Sequence, residues 1–429
     1  MKSPLLAPLL DRAATDALFL SAAGPVTAAR FVGMAARLAE QLPPGTHAVN
    51  LCRDRLRFAL VFAASLLRGQ VSLLCADSSP GHLQRVAERF GDAYAAVEND
   101  GCVSPLRRFT VPDLSDAPPL DDVPAVPGEQ AAALVFTSGS TGEPVAHPKR
   151  WDQLVARSLA AGEQFGFAGD AVVGTVPPQH MYGFETTVLL PFHTPTVAWH
   201  GDSFFPADIA AALDRCAAPR VLVTAPVHLR ALLESGARVP PGTRVISATA
   251  PMPVALTADA ERRWGVEIHE IFGATEVGSI ASRRTVAGDV WRPYPGVHVG
   301  TDTVRAPGAE ETELADLIEP VPGGGFRLLG RRSDLVKVGG RRASLAGLTH
   351  ALLRLPGVQD AAMLPPAEGE ARMTAFVVAP GRRPEELLAA LRHEIDPVFL
   401  PRPLLCVDKL PRNALGKLSH AGLREMRTA

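Results

Sequence analysis

The stretch Thr137–Pro144 combines glycines with hydroxyl side chains in a way that suits phosphate binding. Glycine lets a backbone approach a ligand closely, and hydroxyl groups and exposed N–H groups can hold phosphate oxygens. The stretch is no P-loop of the form G-x-x-x-x-G-K-[ST], because no lysine follows Gly142. A flexible turn has a similar composition, but the apolar run Ala132–Phe136 before it favours a phosphate loop. The candidate phosphate ligands are Thr137, Ser138, Gly139, Ser140, Thr141 and Gly142.

A second stretch, Ile271–Glu276, follows another apolar run. Open parallel sheets bind ligands at the carboxyl ends of their strands, which is where this run ends. The Phe272 ring can stack on a flat group, the Thr275 hydroxyl can reach a phosphate, and the Glu276 carboxylate can hold Mg²⁺. Gly273 and Ala274 complete the candidate binding segment. By itself the string is also typical of a helix N-terminus with an acidic first turn.

Two further stretches become candidate functional segments only when they are considered together with the segments around them. The Asp316 carboxylate can accept two ribose hydroxyls, and the segment from Gly330 to Arg341 is dense in charge and glycine, as a hinge would be. Near the C-terminus, Lys417 follows Gly416 in a loop that begins Leu410-Pro411. Taken alone, Asp316 and Lys417 are better explained as residues of exposed surface loops.

Alternating strand and helix patterns must position these residues. Residues 47–97 alternate short apolar runs with helical spacing of leucine and phenylalanine, and strands are predicted again at 220–224, 244–248 and 266–271. This alternation predicts an α/β fold: a large N-terminal domain of parallel-rich sheets with flanking helices. The sequence pattern changes after residue 330. This change predicts a hinge at 331–334, followed by a small mobile α+β C-terminal domain over 335–429.

Composition and charge exclude several classes of protein. With 429 residues, 47% hydrophobic and 21% charged, the chain has a globular composition, and its net charge of −2 argues against a general nucleic-acid binder. No apolar run is long enough to span a membrane, and five scattered cysteines indicate reduced thiols and a cytoplasmic protein. Residues 331–429 carry 16 basic and 10 acidic residues, a net of +6, which indicates either an acidic partner or a solvated basic surface.

In their order and spacing the four stretches resemble the acyl-adenylate-forming superfamily of AMP-dependent synthetases and ligases, over residues 132–420. The resemblance implies that Thr137–Gly142 hold ATP phosphates, that Thr275 and Glu276 hold the α-phosphate and Mg²⁺, and that Phe272 lies beside the adenine. It further implies that Asp316 and Arg331 hold the ribose, Ser333 or Asp334 is the hinge, and Lys417 binds the carboxylate and α-phosphate oxygens.

The resemblance also implies an acyl pocket and a thiol tunnel. The segment Pro178–Gly183 is similar to the family's aromatic and histidine segment beside the acyl group, and His180 is either a gate to the thiol tunnel or purely structural. Candidate residues of the acyl pocket are His228, Ser247, Ala248, Thr249, Ala250 and Ile271.

The chain departs from the family pattern at the phosphate loop. Val145 stands where the loop usually carries a lysine. Lys149, one of only five lysines, is a candidate substitute that would reach the phosphates from a longer loop, and His147 has no assigned role. The chain is short for the family, and the shortfall before residue 132 predicts a trimmed N-terminal subdomain within residues 1–330.

The resemblance implies a ligase with ATP and Mg²⁺ as cofactors. It would join an aromatic, hydroxybenzoate-like acid to AMP and pass the acyl group to the phosphopantetheine thiol of an acyl carrier protein. The short aryl-acid ligases of pigment pathways are the subtype that it resembles, and the basic C-terminal segment favours the acidic carrier. Free coenzyme A is the alternative acceptor, and a non-catalytic nucleotide-binding module is the alternative of another class.

Overall fold

The computed structural model describes residues 5–99, 104–138, 144–307, 309–331, 335–338, 341–366, 372–412, 418 and 420–428. In chain order the strands before residue 151 are β1 (Leu6–Pro8), β2 (Ala17–Ser21), β3 (Gly24–Thr27), β4 (His47–Asn50), β5 (Val71–Leu74), β6 (Tyr94–Val97), β7 (Arg107–Thr110), β8 (Ala125–Pro127), β9 (Ala131–Ser138) and β10 (Pro144–Arg150).

The strands of the middle of the chain are β11 (Ala171–Gly174), β12 (Val197–Trp199), β13 (Arg220–Thr224), β14 (Thr243–Ser247), β15 (Ile268–Ala274), β16 (Gly278–Arg284), β17 (Arg292–Pro293), β18 (His298–Val299), β19 (Thr303–Arg305), β20 (Thr312–Glu313), β21 (Asp316–Val321) and β22 (Gly325–Arg331). The C-terminal strands are β23 (Leu335–Val338), β24 (Arg341–Ser344), β25 (Asp360–Leu364), β26 (Thr374–Val378) and β27 (Leu404–Cys406).

The helices are α1 (Ala28–Gln41), α2 (Arg55–Leu67), α3 (Pro80–Arg89), α4 (Trp151–Phe165), α5 (Met181–Phe184), α6 (Leu190–His193), α7 (Pro206–Arg215), α8 (Pro226–Glu234), α9 (Val254–Trp264), α10 (Leu345–Leu353), α11 (Pro384–Leu391) and α12 (His420–Thr428). A π-helical segment, Glu185–Leu189, joins α5 to α6. Short 3₁₀ turns lie at Thr285–Ala287 and Pro397–Phe399.

Two large sheets form the N-terminal part. The first has the order β10-β9-β5-β4-β6-β7, and the second has the order β17-β16-β15-β14-β13-β11-β12-β2-β3. Both are parallel in their centres and antiparallel at one or both edges, where β10 pairs with β9 and β16 pairs with β15. The α/β fold class predicted from the alternating pattern is therefore confirmed.

Local sequence explains where the helices begin and end. The Asp54 carboxylate accepts the N–H of Arg57 at 2.8 Å and caps α2. Gly166 ends α4 in a left-handed conformation, with φ of +56°. The sequence predicts helices over 252–264 and near 384–395, but α9 begins only after Pro253 and α11 ends at Leu391.

A smaller α+β part follows residue 334. Strands β25, β26 and β27 form its sheet, with β25 antiparallel and β27 parallel to β26. Among the described residues, the buried clusters that contain residues 336–423 include none from before residue 331. The hinge at 331–334 stays a prediction, since residues 332–334 are outside the described part.

Membrane spans were searched for in the same described ranges. No helix there is both long and apolar enough to cross a bilayer.

Because the C-terminal part has its own core, the predicted domain boundary can be tested by mutating each core separately. Leu352 is fully buried in it, so Leu352→Ala should remove about 2–5 kcal/mol of stability. We expect calorimetry to show two unfolding transitions, with only that of the C-terminal part moving to lower temperature. Leu18→Ala, in the N-terminal core, should move only the other transition. A single transition that shifts as a whole in both variants would contradict two independent cores.

Candidate active site

The carboxyl ends of β13, β14 and β15 bring several predicted residues to one edge of the second sheet. Thr224 lies beside Ser247, and Ser247 lies beside Glu270, in the parallel register. The residues that follow β14, Ala248–Ala250, therefore begin beside Ile271, and β15 continues for three more residues before the turn that carries Thr275 and Glu276. This is the edge at which open parallel sheets bind ligands.

The hairpin between β15 and β16 presents the second motif. A side chain at Gly273 would approach the carbonyl oxygen of Gly278 to 2.7 Å, and Gly278 has a φ of +94°. Both positions therefore require glycine, and they make a tight turn that carries Thr275 and Glu276. The Glu276 side chain is 43% exposed, whereas Thr275 is half-buried.

Phe272 is held on β15 by other aromatic side chains. Its ring centroid lies 5.8 Å from that of Trp291 and 6.0 Å from that of Phe326. One face of the half-buried ring is therefore fixed by packing.

The phosphate loop is described only at its two ends. Thr137 and Ser138 lie at the end of β9, their side chains are outside the described part, and so are Gly139, Ser140, Thr141 and Gly142 entirely. Beyond them β10 pairs with β9 from Pro144 opposite Ser138 onward. The idea of a longer loop reaching to Lys149 is therefore wrong, because residues 144–150 form a strand.

Lys149 instead reaches the second motif from this strand. Its side chain is buried, 5% exposed, and Nζ donates a hydrogen bond of 2.5 Å to the carbonyl oxygen of Glu276. Burial lowers the Lys149 pKa to about 8, while Glu185 and Glu276 oppose the shift. The lysine thus ties the first sheet to the turn that carries Glu276.

His147 lies two residues earlier on the same face of β10. Its Nε2 is 3.8 Å from Glu276 Oε1, and burial lowers the His147 pKa although Glu276 opposes it. The imidazole and the carboxylate form one polar group beside the turn. Sequence analysis left His147 without a role, because nothing in the sequence shows that β10 faces the 275–277 turn.

The predicted ribose residues face each other. Asp316 begins β21 and pairs with Arg331 at the end of β22 in an antiparallel hairpin. The backbone register therefore brings the two predicted ribose positions opposite each other. The side chain of Arg331 is outside the described part, as are Ser333, Asp334 and Lys417.

The predicted acyl-pocket residues divide into two settings. The imidazole of His228 shares a hydrogen bond of 2.7 Å between Nδ1 and Thr175 Oγ1, and Phe204 packs against its ring. Ser247 Oγ is buried and has no hydrogen-bond partner in the described part of the chain. Thr249 has a φ of +79°, a strained conformation for a β-branched residue. Ala248 and Ile271 are buried next to them, and Ala250 is half-buried.

His180 has a visible structural task. Its Nδ1 accepts the backbone N–H of Tyr182 at 3.2 Å, which caps α5. The gate assigned to it by resemblance stays a prediction.

A cavity of about 170 Å³ opens beneath the 275–277 turn, away from those acyl-pocket candidates. Lys149 and Arg157 are among its lining residues, together with Glu276 and Glu310. Arg157 is 4% exposed, and among the described residues its Nε and Nη1 find no hydrogen-bond acceptor. Glu185, also buried, accepts the Ser279 hydroxyl at 2.6 Å.

Sequence analysis missed Lys149 as a contact of the turn and missed Arg157 and Glu185 altogether. One signal was available: Arg157 and Glu185 each stand in a mostly apolar helical segment, where a charge is unusual unless it is paired or functional. The spacing of 28 residues between them conveys no proximity.

Mg²⁺ is compatible with the residues at the turn. Glu276 offers an exposed carboxylate, the hard oxygen ligand that Mg²⁺ prefers, and Mg²⁺ usually takes one or two carboxylates together with substrate phosphates. Within the described ranges, no group of three or more histidine, cysteine or acidic residues is arranged to hold a metal by itself. Such a site therefore depends on the phosphates for its remaining ligands.

Comparison with known proteins agrees with this geometry. The AMP-binding enzyme family matches residues 35–314, and the AMP-binding enzyme C-terminal domain matches residues 349–417. The chain is 32% identical over 274 residues to a 4-coumarate–CoA ligase of Rhodobacter capsulatus, which covers 63% of this chain and 69% of that protein.

Two further proteins are similar over nearly the whole chain. An anthranilate–CoA ligase of Pseudomonas aeruginosa is 27% identical over 92% of this chain and 90% of its own. The ATP-bound structure of MatB from Rhodopseudomonas palustris superposes with a TM-score of 0.81 at 21% identity, over 97% of this chain and 96% of that chain. The chain therefore belongs to the AMP-binding enzyme family, which confirms both the resemblance inferred from its motifs and the predicted class of AMP-forming ligase.

Proposed function

We propose that the protein activates an aromatic carboxylic acid with ATP, forming an acyl-adenylate and pyrophosphate, and then transfers the acyl group to a pantetheine thiol with release of AMP. The observation that carries this proposal is the turn with Thr275 and Glu276, held at the carboxyl edge of the sheet by Lys149. The names of the relatives, a coumarate ligase and an anthranilate ligase, support an aromatic acid.

The chemistry requires that two anions meet. A carboxylate is a poor acyl donor because its leaving group is oxide, and attack on the α-phosphate of ATP replaces that group with AMP. Lys417 is the proposed cation that binds the carboxylate and the α-phosphate oxygens and offsets their repulsion. Thr275 offers a hydroxyl to the α-phosphate, and Asp316 orients the ribose.

Glu276 is the proposed ligand of Mg²⁺. When bound, the ion would neutralise charge on the phosphates. Lys149 acts indirectly, because its hydrogen bond to the carbonyl oxygen of Glu276 fixes the turn that presents the Glu276 carboxylate. Positioning of this kind supplies much of the rate of a reaction between two bound groups.

Coenzyme A is the acceptor that the relatives' names support. An acyl carrier protein is the second candidate, favoured by the net charge of +6 on residues 331–429. For either thiol, rotation about Ser333 or Asp334 would remove Lys417 from the carboxylate and open the path to the adenylate.

The two half-reactions test the proposal. Wild-type protein should catalyse ATP–pyrophosphate exchange that depends on an added aromatic acid. Lys417→Ala should lower this exchange by about 10²–10³-fold, the usual cost of one donor to a developing anion. The same variant should still form thioester from supplied acyl-adenylate. Equal loss of both activities would contradict two conformations, and wild-type exchange with no acid would overturn the function.

Lys149 is tested by a matched pair of variants. Lys149→Met should lower kcat/KM for exchange by about 100-fold, because the Glu276 turn loses its anchor. Lys149→Arg should restore little, since a planar guanidinium does not fit where a compact ammonium is buried. Arg150→Met removes the exposed cation of the next residue in the chain and should leave ATP–pyrophosphate exchange nearly unchanged. Full activity of Lys149→Met would rule out the positioning role.

The acceptor is tested by charge reversal on the C-terminal part. Arg383 and Arg392 are exposed there, so Arg383→Glu with Arg392→Glu should preserve the core. If a carrier protein is the acceptor, its loading should slow about 10-fold more than acylation of coenzyme A at low salt, because complementary charge steers encounter. Equal slowing of both acceptors would remove the argument for an acidic partner.

A further inference from the structure

The C-terminal part meets the N-terminal part without sharing an apolar core with it. Among the described residues, the buried clusters of the C-terminal part contain no residue from before 331. Helix α10 lies along β22, where a Cβ at Gly347 would be 3.0 Å from the carbonyl oxygen of Leu329. Two parts that meet in this way can move relative to each other, so each polar contact between them affects which arrangement is populated.

Arg230 makes such a contact. It lies on the second turn of α8, whose Leu229, Leu232 and Leu233 are buried in the N-terminal part, and this spacing turns the arginine away from the core. Its Nη2 donates a hydrogen bond of 2.8 Å to the carbonyl oxygen of Gln359, which is 129 residues further along the chain. An arginine of the N-terminal part thus holds the main chain of the C-terminal part.

The acceptor belongs to a well-ordered element of the C-terminal part. The N–H of Gln359 donates to the carbonyl oxygen of Val378 on β26 at 2.8 Å, and the next residue, Asp360, begins β25. Asp360 in turn accepts Nε and Nη2 of Arg412, at 2.9 and 2.7 Å. Arg230 therefore holds the sheet of the C-terminal part rather than an isolated loop.

The contact lies near the edge of the sheet where the candidate site residues gather. Helix α8 begins at Pro226, two residues after β13 ends, and His228 stands between Pro226 and Arg230. Four residues of helix separate Pro226 from Arg230, which is about 6 Å at 1.5 Å per residue. A rotation of the C-terminal part about a hinge before Leu335 would carry Gln359 away from α8 and break this hydrogen bond.

A second contact between the two parts involves His350 on α10. Its pKa is lowered to about 4 by burial and then by Arg283 and Arg354, while Asp289 opposes the shift. The imidazole is therefore neutral near pH 7 and gains no ionic attraction from Asp289. The ionic character of the interface comes from Arg230 rather than from His350.

We propose that Arg230 is a positioning residue that holds the C-terminal part in one of the two arrangements required by the two half-reactions. The inference rests on the proposed function and adds the contact that selects between its two arrangements. A single hydrogen bond on a half-buried side chain suits this role, because it favours one arrangement and can still break in every catalytic cycle.

The first experiment measures the two half-reactions separately, as acid-dependent ATP–pyrophosphate exchange and as thioester formation from supplied acyl-adenylate. Arg230→Met should lower kcat for one of them by about 3- to 10-fold, the range of one hydrogen bond from a charged donor that is partly exposed, because the arrangement that serves it loses population. The other half-reaction should not slow, and Arg230→Lys should restore part of the loss.

Arg238→Met is the matched control. Arg238 follows the same helix, its side chain is 78% exposed, and it lies 3.8 Å from Asp214 within the N-terminal part. Its loss should change neither half-reaction. Arg230→Met should melt at the temperature of wild type, because Arg230 lies outside the buried clusters of both parts.

The second experiment locks the contact. Arg230→Cys and Gln359→Cys, combined with Cys406→Ser to remove an exposed thiol, are joined by a bis-methanethiosulfonate linker of about the reach of an arginine side chain. The linked protein should keep the half-reaction that Arg230→Met slows, lose the other, and lose complete turnover from acid to thioester. Reduction of the linker should restore all three activities, and each single-cysteine variant treated with the linker should lose none.

The two experiments must name the same half-reaction. Complete turnover by the linked protein, loss of both half-reactions on linking, or an Arg230→Met variant that slows both alike or neither would overturn the inference and leave the proposed function standing. The proposed function fails separately, if wild-type protein shows no exchange that depends on an added acid.

Discussion

The hydrogen bond from Lys149 to the carbonyl oxygen of Glu276 is the interaction on which the site depends. Lys149 belongs to the sheet that carries the phosphate loop, and Glu276 belongs to the hairpin at the edge of the other sheet. A buried ammonium needs an acceptor, so the turn is constrained to remain where its carbonyl meets Nζ. The residues that must act on one ligand thus come from two sheets, and the hydrogen bond between Lys149 and Glu276 fixes their relative position.

The same constraint explains the cluster of charge beneath the turn. Glu185 lies close enough to both Lys149 and Arg157 to oppose the loss of their charge on burial. Buried ions of this kind seldom add stability over apolar residues of the same size, and they persist where they specify an arrangement or a ligand. Lys149 has its acceptor in the protein, whereas none of the described residues accepts a hydrogen bond from Arg157 Nε or Nη1.

Much of the fold could be predicted from local patterns. The apolar run at 220–224 became β13 with the predicted bounds, because a short buried strand has few alternatives between its flanking turns. The motif Ile271–Glu276 was predicted to follow a strand that ends at residue 271, whereas β15 extends to Ala274 and only Thr275 and Glu276 lie beyond it. Its glycine is explained by the close approach of Gly273 to Gly278. The pairing of Asp316 with Arg331 was not predictable as a contact, although both had been singled out, because register depends on the turn between them.

By itself the sequence determined the family, the alternating architecture and the candidate residues within each motif, since these depend on residue types at short spacing. The tertiary structure alone decided that residues 144–150 are a strand rather than a longer loop, and that Lys149 turns to Glu276. It also decided that Arg157 and Glu185 meet under Gly278. The physical reason is the same in each case: burial and hydrogen-bond partners arise from elements that pack against each other across long separations, which periodicity within one segment does not encode.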